Sequence, residues 1–234
     1  VGATLIEGKG GPAVRDAVQS GAPSRPSCTS WPPMLTVRPD DTQTPSNATW
    51  NGAYALATHA SFAFFPATPN DTYYFGIRRY PYSTDMAINP LTFKHIANGN
   101  PLPVGPPVAF GEDGSFNAEV HNTGEVWAQM LWECYAGMLR DTQGPTPRLS
   151  FQQAQDRMKL YLVGGLKATP NFPTILEARD AILSVMLAND VNDYTACRVG
   201  FAKRGAGSNA EGPDRFSTDH LPVVEDFTTQ PEAP

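Results

Sequence analysis

The stretch EVHNTGEVWAQMLWECYAGM, Glu119–Met138, decides the fold. Trp127, Leu131, Cys134, Tyr135 and Met138 recur at three- and four-residue steps, the spacing that lines one face of an α-helix with apolar side chains. Asn122, followed three residues later by Glu125, has the pattern of a capping box, in which each side chain accepts from a backbone N–H left over at a helix start. His121 then stands at the mouth of the helix. There its ring can project into a cleft and donate to a developing oxyanion, or it can pack as the residue before the cap.

The same start signal recurs downstream, with Ser150 and Gln153 opening a second helix and Thr174 and Glu177 a third. Met158, Leu160, Tyr161 and Leu162 mark the buried side of the second, and Ile175, Ala178, Ile182, Val185 and Met186 that of the third. A fourth helix from about Asp193 closes on KRGAG, with basic residues in its last turn and a glycine suited to a left-handed cap. The fold class is therefore mainly α.

Upstream the chain is punctuated by proline and glycine. NGAYALATHASFAFF, from Asn51, reads as a short apolar helix or buried strand ending at Pro66, and the proline-rich run between His95 and Asn117 as a long surface loop. Residues 1–33 carry no sustained period and are expected to be a loosely ordered leader; EGKGGPAV lacks the positions of a phosphate-binding loop. Residues 34–207 form the helical domain, and 208–234 a polar tail along the surface.

A net charge of −6 over 234 residues provides no basic stripe for phosphates, which excludes nucleic acid, and no apolar run reaches the roughly 20 residues that span a bilayer, which excludes a membrane-embedded role. Cys28, Cys134 and Cys197 are too widely spaced for a structural zinc site. Cys134 and Cys197 read best as small buried hydrophobes on helices, with one bridge and one free thiol as the other possibility. His59, His95, His121 and His220 are never three to five residues apart, so no local zinc-ligand pair is present, and no GxSxG elbow occurs. No calcium loop stands out, and calcium stays open. Arg78 and Arg79 sit among Tyr73, Tyr74, Phe75, Tyr80 and Tyr82, where a guanidinium can stack and still present its fork to a carbonyl.

Four blocks in order, GIRRYPYSTDMAINPLTFKHI, VHNTGEVWAQMLWECY, TPNFPTILEARDAIL and FAKRGAG, resemble the C-terminal helical half of the fungalysin family of secreted zinc metalloendopeptidases, in its bacterial branch. The resemblance runs from about Leu35 to Asp219. It implies an architecture similar to thermolysin, in which an upstream HExxH helix and a glutamate bind zinc and the helical half brings a histidine and an arginine to the substrate. By that resemblance His121 stabilises the tetrahedral intermediate and Arg78 holds the substrate carbonyl. Arg79, Tyr80 and Asn122 are implied as further substrate contacts.

The chain departs from the family pattern at the metal. No HExxH is present, and SRPSCTSWPPM stands where the third-ligand motif is expected, with only Trp31 in common and Glu7 as a poorly fitting acidic candidate. Zinc is the cofactor the resemblance implies, yet its ligands are not found in the sequence. The implied role is the C-terminal portion of a secreted, extracellular peptidase acting on a protein or peptide and incomplete without an N-terminal catalytic half. The alternatives are a secreted pseudoenzyme or peptide-binding module, or a recruited activity on a non-peptide substrate with His121, Glu119 or Glu125 as acid or base. NAT at Asn47 and NDT at Asn70 are glycosylation sequons relevant only in a eukaryotic host.

Overall fold

A computed structural model describes residues 50–57, 75–103 and 116–229. The leader, Glu7, Cys28, Trp31, His59, both sequons, the end of NGAYALATHASFAFF and residues 104–115 lie outside the described residues.

Four α-helices carry the described fold: α1 (Val120–Arg140), α2 (Phe151–Ala168), α3 (Ile175–Asn189) and α4 (Val191–Lys203). A short 3-10 helix, Phe93–Ile96, precedes them. Ser150 and Thr174 cap α2 and α3 in the expected reciprocal boxes with Gln153 and Glu177. At α1 the box of Asn122 and Glu125 does not form, because Glu119 takes the first amides itself: its carboxylate accepts from the N–H groups of His121 and Asn122. Asp190 ends α3 and caps α4, accepting from the amides of Asn192 and Asp193, so α4 begins two residues before the expected start.

α1 packs chiefly against α4, α2 against α3, and α3 against α4 joins the pairs. The α1–α4 approach is close: a Cβ at Gly200 would stand 2.9 Å from the Glu133 Cβ, so only glycine lets the helices meet there. One turn from that contact, Cys134 and Cys197 are joined by a disulfide with their Cα atoms 4.1 Å apart. This corrects the reading of both as small buried hydrophobes: both are buried, and the helix crossing that buries them also brings their sulfurs together. Closing a loop of 63 residues removes denatured-state freedom worth about 4 kcal/mol.

The core lies around the inner face of α1. Met130, Cys134, Tyr135, Ala136, Met138 and Leu139 are fully buried, Trp132 meets Tyr54 in a tilted contact at 4.6 Å between ring centroids, and Trp50 stacks on Phe151 at 6.3 Å. Leu160 on α2 is more than half exposed, contrary to the stripe read for it; Ala154, Met158, Tyr161 and Gly165 form the buried side. Residues 51–57 are neither helix nor regular strand: Tyr54 pairs with Tyr82, and Leu56 with Gly76, through isolated bridges. Gly76, at φ +62°, leaves Leu56 O where a Cβ would sit.

The run after His95, expected as a surface loop, is tied inward where described, with Asn117 Nδ2 donating to the carbonyls of Ala97 and Asn100. The tail after residue 207 also docks, through bridges of Ala206 with Asp226 and Glu211 with Val224. Among the described residues no helix is long and apolar enough to cross a membrane.

Candidate functional site

Residues 78–83 run across α1, and two successive turns of the helix offer them a polar side chain, Glu125 and then Gln129. Glu125, Gln129 and Glu133 recur every four residues and form a buried polar stripe inside an otherwise apolar helix. Glu125 accepts from Arg79 Nε at 2.8 Å and from the Tyr80 N–H at 2.8 Å. Gln129 exchanges two hydrogen bonds with the Ser83 backbone, at 3.1 and 2.7 Å, and Glu133 receives Arg204 Nε at 2.8 Å and Lys203 Nζ at 3.0 Å. The segment is thereby locked to the helix in one register.

The chain turns and bends through residues 77–80, and the two arginines leave it on different sides. Arg79 points inward, 2% exposed, and its remaining nitrogens donate to Asn117 Oδ1 at 2.8 Å and Asn122 O at 3.4 Å. The fork expected to meet substrate is engaged inside the protein. Arg78 stays at the surface side, and its Nη1 donates to the His121 carbonyl at 3.0 Å.

His121 is the most open residue of this corner, its side chain 76% exposed, yet its ring is not loose. Nδ1 lies 2.6 Å from Glu119 Oε1, while Glu119 Oε2 accepts from the His121 N–H at 2.8 Å. One carboxylate thus caps the helix and orients the imidazole, directing Nε2 away from it. Partial burial works against the Glu119 charge, but hydrogen bonds from the His121 ring and from the amides of Asn122 and His121 outweigh it and hold the carboxyl below the ordinary value. The corner therefore presents an oriented imidazole and a guanidinium within one turn of the helix start. Such a pair suits an oxygen acquiring negative charge.

The other expected contacts are placed as frame. Tyr80 is buried and its hydroxyl donates to Pro103 O at 3.0 Å; burial, with the Glu125 charge, pushes that hydroxyl up to about 12, so it is a neutral donor. Asn122 is 8% exposed and its Nδ2 donates to Phe116 O at 2.8 Å. Glu125, read as a capping acid, is instead fully buried against Arg79. Glu119 was weighed in the sequence only as an acid or base, and its position two residues before the histidine is the signal for its orienting role.

The fold and this corner define a helical subdomain whose open histidine is braced by its own N-cap. The fungalysin metallopeptidase family model matches residues 42–210, and the chain belongs to that family. It is 37% identical over 158 residues to an extracellular metalloproteinase of Aspergillus terreus, covering 63% of this chain and 22% of that protein. An extracellular metalloproteinase of Neosartorya fischeri is 35% identical over 150 residues, 60% of this chain and 20% of its own length. One from Coccidioides posadasii is 35% identical over 147 residues, 58% of this chain and 20% of its own. The chain spans about a fifth of the length of the curated relatives it matches.

A metallopeptidase family implies zinc, and the described residues do not fit it. Among them no group of three His, Cys, Asp or Glu side chains converges on a point where a metal could be held. His95 is buried with Nδ1 accepting the Thr92 N–H at 2.9 Å, and His220 Nδ1 lies between Thr123 Oγ1 at 3.2 Å and Ile96 O at 3.1 Å. Cys134 and Cys197 are bonded to each other.

Proposed function

We propose that this chain supplies the carbonyl-binding wall of fungalysin peptide hydrolysis: His121, as an imidazolium whose Nδ1–H is held by Glu119, donates from Nε2–H to the oxygen of the scissile carbonyl as it becomes an oxyanion, and Arg78 adds its charge to the same oxygen. The observation that carries this reading is the Glu119 carboxylate on His121 Nδ1, which leaves a charged or neutral ring one orientation and turns its far nitrogen outward. Glu119 acts through His121 as a positioning residue, and Arg79 through Glu125 and Asn117. Residues 34–207 make up the working unit, and the substrate is a protein or peptide outside the cell, as the names of the relatives suggest. Activation of the attacking water falls to residues beyond the described ones, carried on a partner segment that completes the cleft.

A peptide should then bind at the corner without that partner. Titrating an acetylated, amidated peptide of six apolar residues into the isotopically labelled chain is expected to move the His121 ring and Arg78 guanidinium resonances first. Shifts spread over other faces, with these two unmoved, would refute the reading.

A further inference from the structure

A cavity of about 300 Å³ opens between α3, α4 and the chain around Ala206 and Thr228, and it shares no residue with the His121 corner. Its walls are chemically divided. Leu183, Phe201 and Tyr194 give an apolar and aromatic side, while Arg179 and Arg198 give a cationic one.

Arg179 is 8% exposed and fixed from behind: Nε donates to Asp180 Oδ1 at 2.8 Å, and Nη1 to Ala206 O at 3.0 Å and Gly207 O at 2.5 Å. Those bonds leave its Nη2 without a partner among the described residues, on a side chain that lines the cavity. Arg198 is spread over the Tyr194 ring, 5.2 Å from its centroid. Among the described residues two guanidinium groups and one carboxylate line the cavity, in a protein whose net charge is −6.

A buried, pre-positioned guanidinium N–H beside an apolar wall is the arrangement that selects a carboxylate carried on a hydrocarbon body. Asp180, whose side chain is 61% exposed at the rim, disfavours a second negative charge, which argues against phosphate and sulfate. We propose that this cavity binds a monocarboxylate with an apolar or aromatic body, either a free acid or the C-terminal residue of a peptide. The proposal does not depend on the reading of His121.

Calorimetric titration of the whole chain tests it with 3-phenylpropionate as the free acid and N-acetylphenylalanine as the peptide terminus, each against its uncharged amide. Loss of the ionic hydrogen bond should weaken the amides about tenfold or more. The tighter of the two acids names the source. Asp180→Asn, a change at an exposed side chain, is expected to tighten the acids several-fold, and Arg198→Gln to weaken them about tenfold. Neither acid binding, amides binding as well as acids, or an unchanged affinity in Asp180→Asn would overturn the proposal. So would binding seen only in a chain shortened to Thr229, because the cavity would then be closed by the chain's own acidic continuation.

Discussion

At His121 two bonds decide what the side chain can do: its Nδ1 meets Glu119 at 2.6 Å, and its carbonyl holds Arg78 at 3.0 Å. Glu119→Gln keeps a cap for the helix but loses the ionised acceptor for the ring. The expectation is a wild-type ring protonated at Nδ1 in its neutral form and a mixture of the two tautomers in the variant, read from the nitrogen chemical shifts of the labelled imidazole. An Nε2-protonated wild-type ring would contradict the orientation argued for it. His121 and Arg78 were singled out in the sequence by the family resemblance, because the residues beside them left each a packing or surface role as well. The inward turn of Arg79 to Glu125 and Asn117 was not legible there, since it depends on how the bend at residues 78–80 lies across the helix.

Along α1 Glu125 and Gln129 tie a non-helical segment to the helix by side chains rather than by a sheet ladder, and Glu133, one turn on, holds the end of α4 through Lys203 and Arg204. Removing one end of a buried ion pair strands the other, a loss of roughly 3–5 kcal/mol. Glu125→Ala should cost that much in denaturant unfolding, whereas Glu125→Leu combined with Arg79→Met should cost distinctly less; equal losses would mean that the pair is not the source. The capping boxes made the starts of α2 and α3 readable to the residue. The start of α1 was misplaced because Asn122 and Glu125 imitate a box, while the true cap, Glu119, is a residue type less favoured there. The bond between Cys134 and Cys197 was out of reach, since spacing along each helix says nothing of where two helices cross.

For the whole molecule, acid is the condition that separates folded from unfolded chain most clearly. Burial, with the neighbouring Lys94 charge, lowers His95 from its ordinary 6.5 to about 4. Above 6.5 both states are neutral at this site; between 6.5 and about 4 only the unfolded chain takes up the proton. Stability therefore falls as pH drops through that window, with a slope approaching one proton, about 1.4 kcal/mol per pH unit. Asp190 acts in the same sense lower down: burial opposes its charge, but hydrogen bonds from Arg157 and the amides of Asn192 and Asp193 bring it to about 2. Denaturant midpoints at pH 7, 5.5 and 4.5 should decline in the native chain and flatten in His95→Gln; an unchanged slope would exclude His95 as the cause.

The helical half was legible as a whole because each helix carries its own periodicity. Residues 50–57 and 75–103 were less so, because their order comes from single bridges and side-chain bonds to α1. The most direct test of the chain's role joins it to the zinc-binding segment of a fungalysin relative and compares peptide hydrolysis by the native chain and His121→Ala. A fall in kcat of about 10²–10³ with KM nearly unchanged is expected for a donor that acts on the oxyanion. Equal turnover by the two, in an assembly shown to need this chain, would contradict the assignment of His121.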